Sequence, residues 1–231
     1  MVDETGNRVL IQGFYDDVRV PSEEDEALLS RLAGTFDENE VKERMKVGRF
    51  IDDLHGVEAL KKHLFSPTLN IEGLWSGYTG PGSKTLLPHR MTVKMDIRLV
   101  PEMQVEKTSL VREHLDKHGF SEIKIRRLEE GYGWARMSVN SPYSKAMLKA
   151  LGEFKVEVEV WPTIAGSAPF SMFAAPPLKL PFIVGGMGHG GPAHSPNEYL
   201  VISERGPTGG LMTMEKSFAA ILDHVSTIRK Q

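Results

Sequence analysis

The sequence predicts an α/β fold in which a small α/β sandwich is followed by a second α/β region. Residues 91–101, MTVKMDIRLVP, alternate apolar and polar side chains, which predicts a half-buried strand. Residues 104–118 have the spacing of an amphipathic helix, which Gly119 would end as a C-cap. Residues 180–186, LPFIVGG, form an apolar run ending in glycine, which is typical of a buried strand that enters a loop.

Composition and charge limit the classes of function. The 231 residues suffice for one large domain or two smaller ones, and 40% apolar residues are typical of a globular protein. A net charge of −3 argues against a nucleic-acid partner, and the absence of cysteine excludes disulfides and thiolate metal sites. There is no signal-peptide pattern and no apolar run of ~18 residues. We therefore expect a cytoplasmic protein without a membrane partner.

The sequence up to residue 131 predicts three helices and then the sandwich. The helices are expected over residues 22–33, 38–47 and 57–65. Further strands over residues 68–77 and 121–129 give the sandwich the order strand, strand, helix, strand. The stretch GYTGPGSKTLLP between the first two strands is rich in glycine and proline, which predicts a loop.

Gly131 and Gly133 mark a candidate domain boundary, after which strands and helices alternate. Besides the apolar run already described, strands are predicted over residues 134–139 and 156–161. Helices are predicted over residues 142–153, 169–175 and 208–229. The sequence therefore predicts a second α/β region after the boundary.

The stretch GGMGHGGPAHSPNEYLVI, residues 185–202, has the pattern G-x-G-x-x-G from Gly186 onward. In a dinucleotide-binding fold this pattern must lead directly into a helix, whose N-terminus holds the pyrophosphate. Pro192 and Pro196 disfavour such a helix. A chance match is easy in a chain with 22 glycines, so the sequence argues against a nucleotide site.

The same stretch carries a candidate metal ligand, His194, followed by Asn197 and Glu198. A histidine on a glycine-rich loop after a buried strand can present a ring nitrogen to a metal, since sites gather at strand ends in α/β sheets. Spacing alone favours the alternative of a surface histidine. His189 is a nearby competitor with less support.

Two other groups of histidine and acidic residues resemble metal sites less well. His114 and Asp116 lie two apart on the predicted amphipathic helix, so they point to different faces and predict a solvated surface. Asp52, Asp53 and His55 match no spacing template, and a polar turn is the favoured interpretation.

Three polar side chains are candidates for contact with a ligand. Arg98 lies on the polar face of its predicted strand, where it could hold a carboxylate by two parallel hydrogen bonds or form an edge salt bridge. The residues leave both alternatives open. Thr85 and Ser167 lie in turns without a histidine nearby in sequence, so a nucleophilic role is unsupported.

Four stretches together resemble one family. SKTLLPHRMTVKMDIRLVPEM resembles the lid segment of dinuclear-zinc exopeptidases, which include carnosinase, cytosolic dipeptidases, glutamate carboxypeptidase, acetylornithine deacetylase and succinyl-diaminopimelate desuccinylase. AGSAP resembles their Gly-Gly-Ser-x-Pro turn, and GPAHSPNEYLVI resembles their last metal-ligand motif. The opening NRVLIQGFYDDVRVPSEED resembles the carnosinase branch. The likeness covers essentially the whole chain in order.

The resemblance implies a role for each matching residue. His194 is then a ligand of one of two zinc ions, with cobalt or manganese as alternatives. Arg98 binds the terminal carboxylate of a peptide or N-acyl amino acid substrate, which Ser167 and Gly166 help to hold. Thr85 contributes to catalysis by reaching across a homodimer interface toward the partner's active site.

The resemblance also implies the organisation of the chain. Residues 1–131 would be the lid or dimerisation domain without its first part, and residues 132–231 would be the C-terminal half of the catalytic domain. The family's other metal ligands and its general base lie upstream of the lid, in motifs that this chain lacks. We therefore expect a fragment of a hydrolase that is inactive alone. The alternative is a non-catalytic dimerisation or carboxylate-binding module.

One departure from the family concerns the substrate. Carnosinase-type dipeptidases carry Arg-Glu before the glycine–serine turn, whereas the corresponding residues here are Thr163 and Ile164. Because an isoleucine cannot bind an ammonium group, the sequence predicts a preference for N-acylated or longer substrates.

Overall fold

The computed structural model contains both helices and strands, as expected for an α/β protein. It describes residues 1–103, 107, 109–128, 131–166, 168–191, 193, 196–206 and 208–228. The helices are α1 (Glu23–Thr35), α2 (Glu38–Met45), α3 (Gly56–Phe65), α4 (Leu110–Lys117), α5 (Pro142–Gly152), α6 (Ser171–Ala174) and α7 (Leu211–Ser226). The strands are β1 (Thr68–Ser76), β2 (Met91–Arg98), β3 (Gly190–Gly191) and β4 (Tyr199–Leu200). Among the described residues, no helix is long and apolar enough to span a membrane.

The three helices predicted before the sandwich are confirmed as α1, α2 and α3. Helix α2 shows why the sequence starts a helix there, since the Asp37 carboxylate accepts hydrogen bonds from the backbone N–H groups of Asn39 (2.9 Å) and Glu40 (3.0 Å). The helix ends where Lys46 takes a left-handed conformation with φ of 55°.

The chain forms two compact units, which interleave along the sequence. Unit 1 comprises Met1–Ser22, Thr35–Trp134 and Ala165–Ala168. Unit 2 comprises Glu23–Gly34, Ala135–Ile164 and Pro169–Gln231. Helix α1 thus joins unit 2, although it precedes the sandwich in sequence. The domain boundary near residue 131 stays a prediction.

Unit 1 is built around the antiparallel pair of β1 and β2. Leu69 lies opposite Ile97, and the register shifts between Ile71 and Gly73. One end of this ribbon is buried, because Leu69 belongs to a core cluster against which Ile97 packs. The cluster of buried residues consists of Val9, Ile11, Phe14 and Leu69.

The prediction of a half-buried strand over residues 91–101 is wrong for the part of the ribbon beyond the Leu69–Ile97 pair. The apolar face of the ribbon is largely exposed at Ile71 (62%), Leu74 (60%), Val93 (41%) and Met95 (37%). A strand is half-buried only where another element covers one of its faces, and this coverage ends after the Leu69–Ile97 pair. Alternation in a sequence predicts a strand without predicting what covers it.

Four of the predicted strands do not form. Residues 121–128, 134–139, 156–161 and 180–186 have no strand assignment. A strand exists by hydrogen bonding to a neighbour, and no described segment pairs with these four. Their apolar residues nevertheless resemble those of strands. Ile123 and Ile125, from the first of these segments, are exposed.

Unit 2 has its core between α5 and α7. Met147, Leu151 and Met187 are buried there. Val156, Val158 and Ile183, from two of the failed strand predictions, pack against this cluster. Some apolar residues of the predicted strands are therefore packed against the core, although the strands themselves do not form.

The boundaries of three later helices differ from the predictions. Helix α4 begins at Leu110 rather than 104, and residues 104–106 and 108 lie outside the described part. The short α6 falls inside its predicted range. Helix α7 begins at Leu211 rather than 208, because Gly209 has φ of +66° and interrupts the helical conformation.

Candidate carboxylate-binding residues and the glycine-rich hairpin

Arg98 is at the end of β2, on the polar face of the ribbon. Its Nε donates to the carboxylate of Asp96, which also accepts a hydrogen bond from Asn70 Nδ2 at 3.0 Å. The Arg98 side chain is 60% exposed, whereas that of Asp96 is 24% exposed. The edge salt bridge considered from the sequence is therefore present. Because exposed ion pairs contribute only about 0–1 kcal/mol, a competing carboxylate can replace Asp96 at little cost.

Thr85 is in the connection between β1 and β2, all of whose residues from 77 to 90 are exposed. Ser76 Oγ donates to the carbonyl of Arg90 at 2.9 Å and so closes the base of this loop. Leu87, two residues after Thr85, is 93% exposed. The loop thus presents Thr85 to solvent, where another molecule can reach it.

The first four residues of the stretch AGSAP, Ala165–Ala168, belong to the same unit as Arg98. Gly166 is exposed there. Ser167 lies outside the described residues. The two candidate carboxylate-binding positions that are described, Arg98 and Gly166, are therefore both solvent-accessible in unit 1.

The glycine-rich stretch forms a short hairpin, in which β3 pairs with β4. Gly190 lies opposite Leu200, and Gly191 lies opposite Tyr199. A Cβ atom at Gly190 would come within 2.3 Å of the Tyr199 carbonyl oxygen, so the close approach of the two strands requires glycine there. The chain between β3 and β4 includes His194, which lies outside the described residues.

His189 connects this hairpin to the residues before α7. Its Nδ1 is 2.9 Å from the Thr208 hydroxyl and 3.1 Å from the Gly209 carbonyl oxygen. In one tautomer Nδ1 accepts a hydrogen bond from the Thr208 hydroxyl, and in the other it donates one to the Gly209 carbonyl. Gly188 N donates to the Thr208 carbonyl at 3.2 Å, and Val201 N donates to the His189 carbonyl at 3.0 Å. His189 therefore connects the start of the hairpin to Thr208 and Gly209 by hydrogen bonds, a role that sequence spacing did not indicate.

The structure gives no support to a nucleotide site in this stretch. The fingerprint requires a helix directly after the glycines. In the described residues 196–206 no helix forms, and α7 starts only at Leu211.

The two weaker histidine–acid groups have structural explanations. Asp116 pairs with Arg112 at 2.8 Å, while the His114 ring stacks on His118 with centroids 4.2 Å apart, so the pair serves two different contacts on α4. Asp52 and Asp53 form a one-turn 3-10 segment before α3.

The neighbouring His55 supports a helix start. The Glu38 carboxylate accepts from Gly56 N at 2.6 Å and contacts His55 Nδ1 at 2.7 Å. These hydrogen bonds, that of Gly56 foremost, lower the pKa of Glu38 to about 2. This half-buried carboxylate therefore stabilises the start of α3.

The described residues do not by themselves fit a metal. Within them, no group of three or more histidine and acidic side chains is arranged to hold an ion. Structural and catalytic zinc sites need three or four protein ligands. We therefore derive no metal-dependent step from this part of the chain.

Sequence reasoning missed a buried ion pair in unit 2. Asp25, in the first turn of α1, is fully buried and pairs with Arg136, whose side chain is 13% exposed. In sequence, Asp25 belongs to an acidic run in the first turn of α1, and 111 residues separate it from Arg136. No local pattern could have indicated this pair.

Comparison with known proteins shows which proteins this chain is similar to. Residues 19–122 match the family described as the peptidase dimerisation domain. An M20 family metallo-carboxypeptidase from Sulfolobus solfataricus has a solved structure with a TM-score of 0.77 and 32% identity, over 96% of this chain and 48% of that chain. The chain is homologous to the M20 peptidases. The expected family is thereby confirmed, together with the α/β fold class.

Two curated M20 relatives extend this result. The Cys-Gly metallodipeptidase of Saccharomyces cerevisiae is 28% identical over 237 residues, which cover 98% of this chain and 46% of the relative. The Beta-Ala-His dipeptidase of Rattus norvegicus is 35% identical over 104 residues, 45% of this chain and 20% of the relative. The chain spans at most about half the length of these relatives. The name of the yeast relative implies a metal cofactor, and both names imply dipeptide substrates.

Proposed function

We propose that this chain is part of a metal-dependent exopeptidase or amidohydrolase that cleaves a peptide or N-acyl amino acid bond next to a free carboxylate. The observation that carries the proposal is Arg98, an exposed guanidinium at a strand end whose Asp96 partner is replaceable. The homology to metallo-carboxypeptidases and dipeptidases supports it. The chain alone is inactive in this proposal, since the remaining metal ligands and the general base belong to a segment upstream.

Arg98 would recognise the substrate by exchange of one carboxylate for another. In the free protein its guanidinium is bound to Asp96. A substrate carboxylate can form two parallel hydrogen bonds to the guanidinium, which are stronger and more directional than a single contact. Gly166 and Ser167 would contribute further contacts to the same carboxylate.

The proposed metal is zinc, two ions per complete active site, with cobalt or manganese as alternatives. His194 is the ligand that this chain would provide. The support is that His194 follows β3 and precedes β4 in sequence, and that these two strands pair with each other.

The proposed substrate is an N-acylated or longer peptide rather than a free dipeptide. Ile164, which precedes the AGSAP turn by one residue, is 51% exposed and presents an apolar surface. Such a surface cannot compensate the desolvation of a substrate ammonium group. Equal hydrolysis of free and N-acetylated dipeptides by a protein that includes the upstream segment would contradict this preference.

The proposed assembly is a cytoplasmic homodimer formed through the lid, in which Thr85 reaches the partner's active site. The exposed loop over residues 77–90 supports this arrangement. The exposed apolar face of β1 and β2 offers a surface that an isolated chain would bury by dimerising or aggregating. A monodisperse monomer in light scattering would count against the dimer.

The function can be tested on a protein that contains this chain together with the upstream segment that the proposal requires. Hydrolysis of an N-acetylated dipeptide would be measured for the parent and for Arg98→Met, with Arg112→Met as a control that removes an arginine from α4. We expect Arg98→Met to raise KM for the carboxylate substrate, with Arg112→Met unchanged. If that longer protein does not hydrolyse any such substrate, the non-catalytic module becomes the better interpretation.

A further inference from the structure

A cleft in unit 1 is lined by polar and charged side chains from two segments that are far apart in sequence. Its volume of about 440 Å³ lies within the range of small-molecule sites. The residues that line it are Asp3, Asn7, Arg8, Tyr15, Asp52 and Lys62. All of them belong to unit 1 and to the described part of the chain. The proposed function makes no use of this cleft.

The first segment is a closed turn that brings Asn7 and Arg8 to the cleft. Val2 and Val9 form an antiparallel bridge, and Asp3 N donates to the Arg8 carbonyl at 2.9 Å. The same Asp3 carboxylate oxygen, Oδ1, accepts hydrogen bonds from Asn7 N at 2.9 Å and Arg8 N at 3.3 Å. Asp3 therefore holds the turn in shape and fixes where its two neighbours in the cleft begin.

The second segment leads into α3 and contributes Asp52 and Lys62. Asn7 Nδ2 donates to Asp52 Oδ1 at 2.6 Å, which joins the two segments across 45 positions of sequence. The other oxygen of Asp52 lies 3.7 Å from Lys62 Nζ, a distance too long for a hydrogen bond. The Asp52 side chain is 45% exposed. Its Oδ2 can therefore accept a hydrogen bond from a ligand.

The donors of the cleft are also available to a ligand. Arg8 is exposed, and among the described residues no hydrogen bond or ion pair occupies its guanidinium. Its planar fork thus keeps two parallel N–H groups for a ligand carboxylate. The Tyr15 hydroxyl accepts from Val9 N at 2.9 Å, so that its own proton can be donated to a second partner.

The charges that line the cleft balance, since two carboxylates, Asp3 and Asp52, face two cations, Arg8 and Lys62. A phosphate dianion would meet both carboxylates as like charges, and a simple cation would meet Arg8 and Lys62 in the same way. A zwitterion avoids both repulsions, because each of its charged groups has an opposite charge in the cleft.

We infer that this cleft binds a small zwitterion, a free α-amino acid. The Arg8 guanidinium holds the carboxylate of the ligand, and Asp52 Oδ2 accepts a hydrogen bond from its ammonium group. The inference goes beyond the proposed function, which assigns a substrate carboxylate to Arg98.

Binding can be measured directly on the 15N-labelled 231-residue chain. The chain would be titrated with L-alanine, and the amide resonances of Asn7 and Arg8 would be followed by NMR. Propionate, which lacks only the ammonium group, and inorganic phosphate are the ligand controls. We expect a saturable shift with L-alanine and roughly 5-fold weaker binding of either control, as for an exposed ion pair. Equal or tighter binding of a control, or no saturable shift with L-alanine, would overturn the inference.

Two variants test the two ends of the ligand separately. Arg8→Gln should weaken L-alanine binding by roughly 10-fold, because charged hydrogen bonds to the carboxylate are lost. Asp52→Asn keeps the shape of the side chain and tolerates the left-handed backbone at this position, where φ is 54°. It should remove the preference for L-alanine over propionate. Parent-like binding in both variants would overturn the inference.

Arg49→Gln is the matched control for these variants. Arg49 is an exposed arginine of the same unit that does not line the cleft, so its replacement should leave L-alanine binding unchanged. Failure of the proposed function would give a different result, since it is detected at Arg98 with an N-acetylated dipeptide. The response near Arg8 to a free amino acid, and its loss in Arg8→Gln, do not depend on that outcome.

Discussion

The two units each contain an arginine–aspartate pair, and the two pairs differ in burial. In unit 1, the side chains of Arg98 and Asp96 are 60% and 24% exposed. In unit 2, those of Arg136 and Asp25 are 13% and 0% exposed. Water solvates Arg98 whether or not Asp96 is present, whereas Arg136 is largely shielded from water and depends mainly on protein groups to satisfy its charge. The same chemistry therefore gives an exchangeable contact in one place and a fixed one in the other.

The largest expected effect is on the buried pair. Arg136→Met leaves the Asp25 carboxylate buried without its partner, which we expect to lower the free energy of unfolding by about 3–5 kcal/mol. Urea unfolding followed by circular dichroism would measure the change. A loss below about 1 kcal/mol would mean that the pair behaves like an exposed one.

The hairpin gives the next largest effect. In Gly190→Ala the new Cβ would meet the Tyr199 carbonyl oxygen, a backbone atom that cannot move aside, so we expect a loss of about 1–3 kcal/mol. Gly34→Ala is the control in the same unit, since a Cβ there meets nothing within 4 Å and alanine favours a helix. Equal unfolding curves for the two variants would contradict the close approach of β3 and β4.

Lowering the pH should reduce the stability of unit 1 by less than Gly190→Ala reduces the stability of unit 2. The hydrogen bonds of Gly56 and His55 lower the pKa of Glu38 from 4.5 to about 2, so its stabilising effect is complete above pH 4.5 and is lost as the pH falls toward 2. In Glu38→Gln, thermal unfolding should depend less steeply on pH over this window. An identical pH dependence in parent and variant would show that the carboxylate is not bound as described.

The smallest effect on stability is expected at the exposed pair. Arg98→Met should change the free energy of unfolding by no more than about 1 kcal/mol, because both partners remain accessible to water. Urea unfolding beside Arg136→Met compares the two pairs directly. Equal losses in the two variants would remove the distinction between an exchangeable and a fixed pair.

The sequence predicted the helices better than the strands, for a physical reason. The signals that start and end α2, Asp37 and Lys46, act within a few residues of themselves. The strand predictions at 156–161 and 180–186 depended on partners elsewhere in the chain, and only the packing of Val156, Val158 and Ile183 against the core agreed with them. Periodicity identifies a buried face, whereas pairing requires a neighbouring strand.

The sequence predicted the candidate site only in part, as it did the fold. The alternation in β2 placed Arg98 on a polar face, and the structure then supplied Asp96 as its partner. The hydrogen bonds of His189 and the pairing of Asp25 with Arg136 depend on contacts between residues far apart in sequence. Such contacts leave no local pattern, so a single sequence could not have indicated them.

The most direct test of the account is whether the two arginines respond differently to a carboxylate ligand. The Nε–Hε resonances of Arg98 and Arg136 can be followed by NMR in the 231-residue chain during titration with an N-acetylated dipeptide to about millimolar concentration, where weak complexes form. We predict a saturable shift of the Arg98 resonance, none for Arg136, and no response to the peptide amide. A stationary Arg98 resonance, or equal shifts of both, would contradict the proposal that Arg98 exchanges Asp96 for a substrate carboxylate.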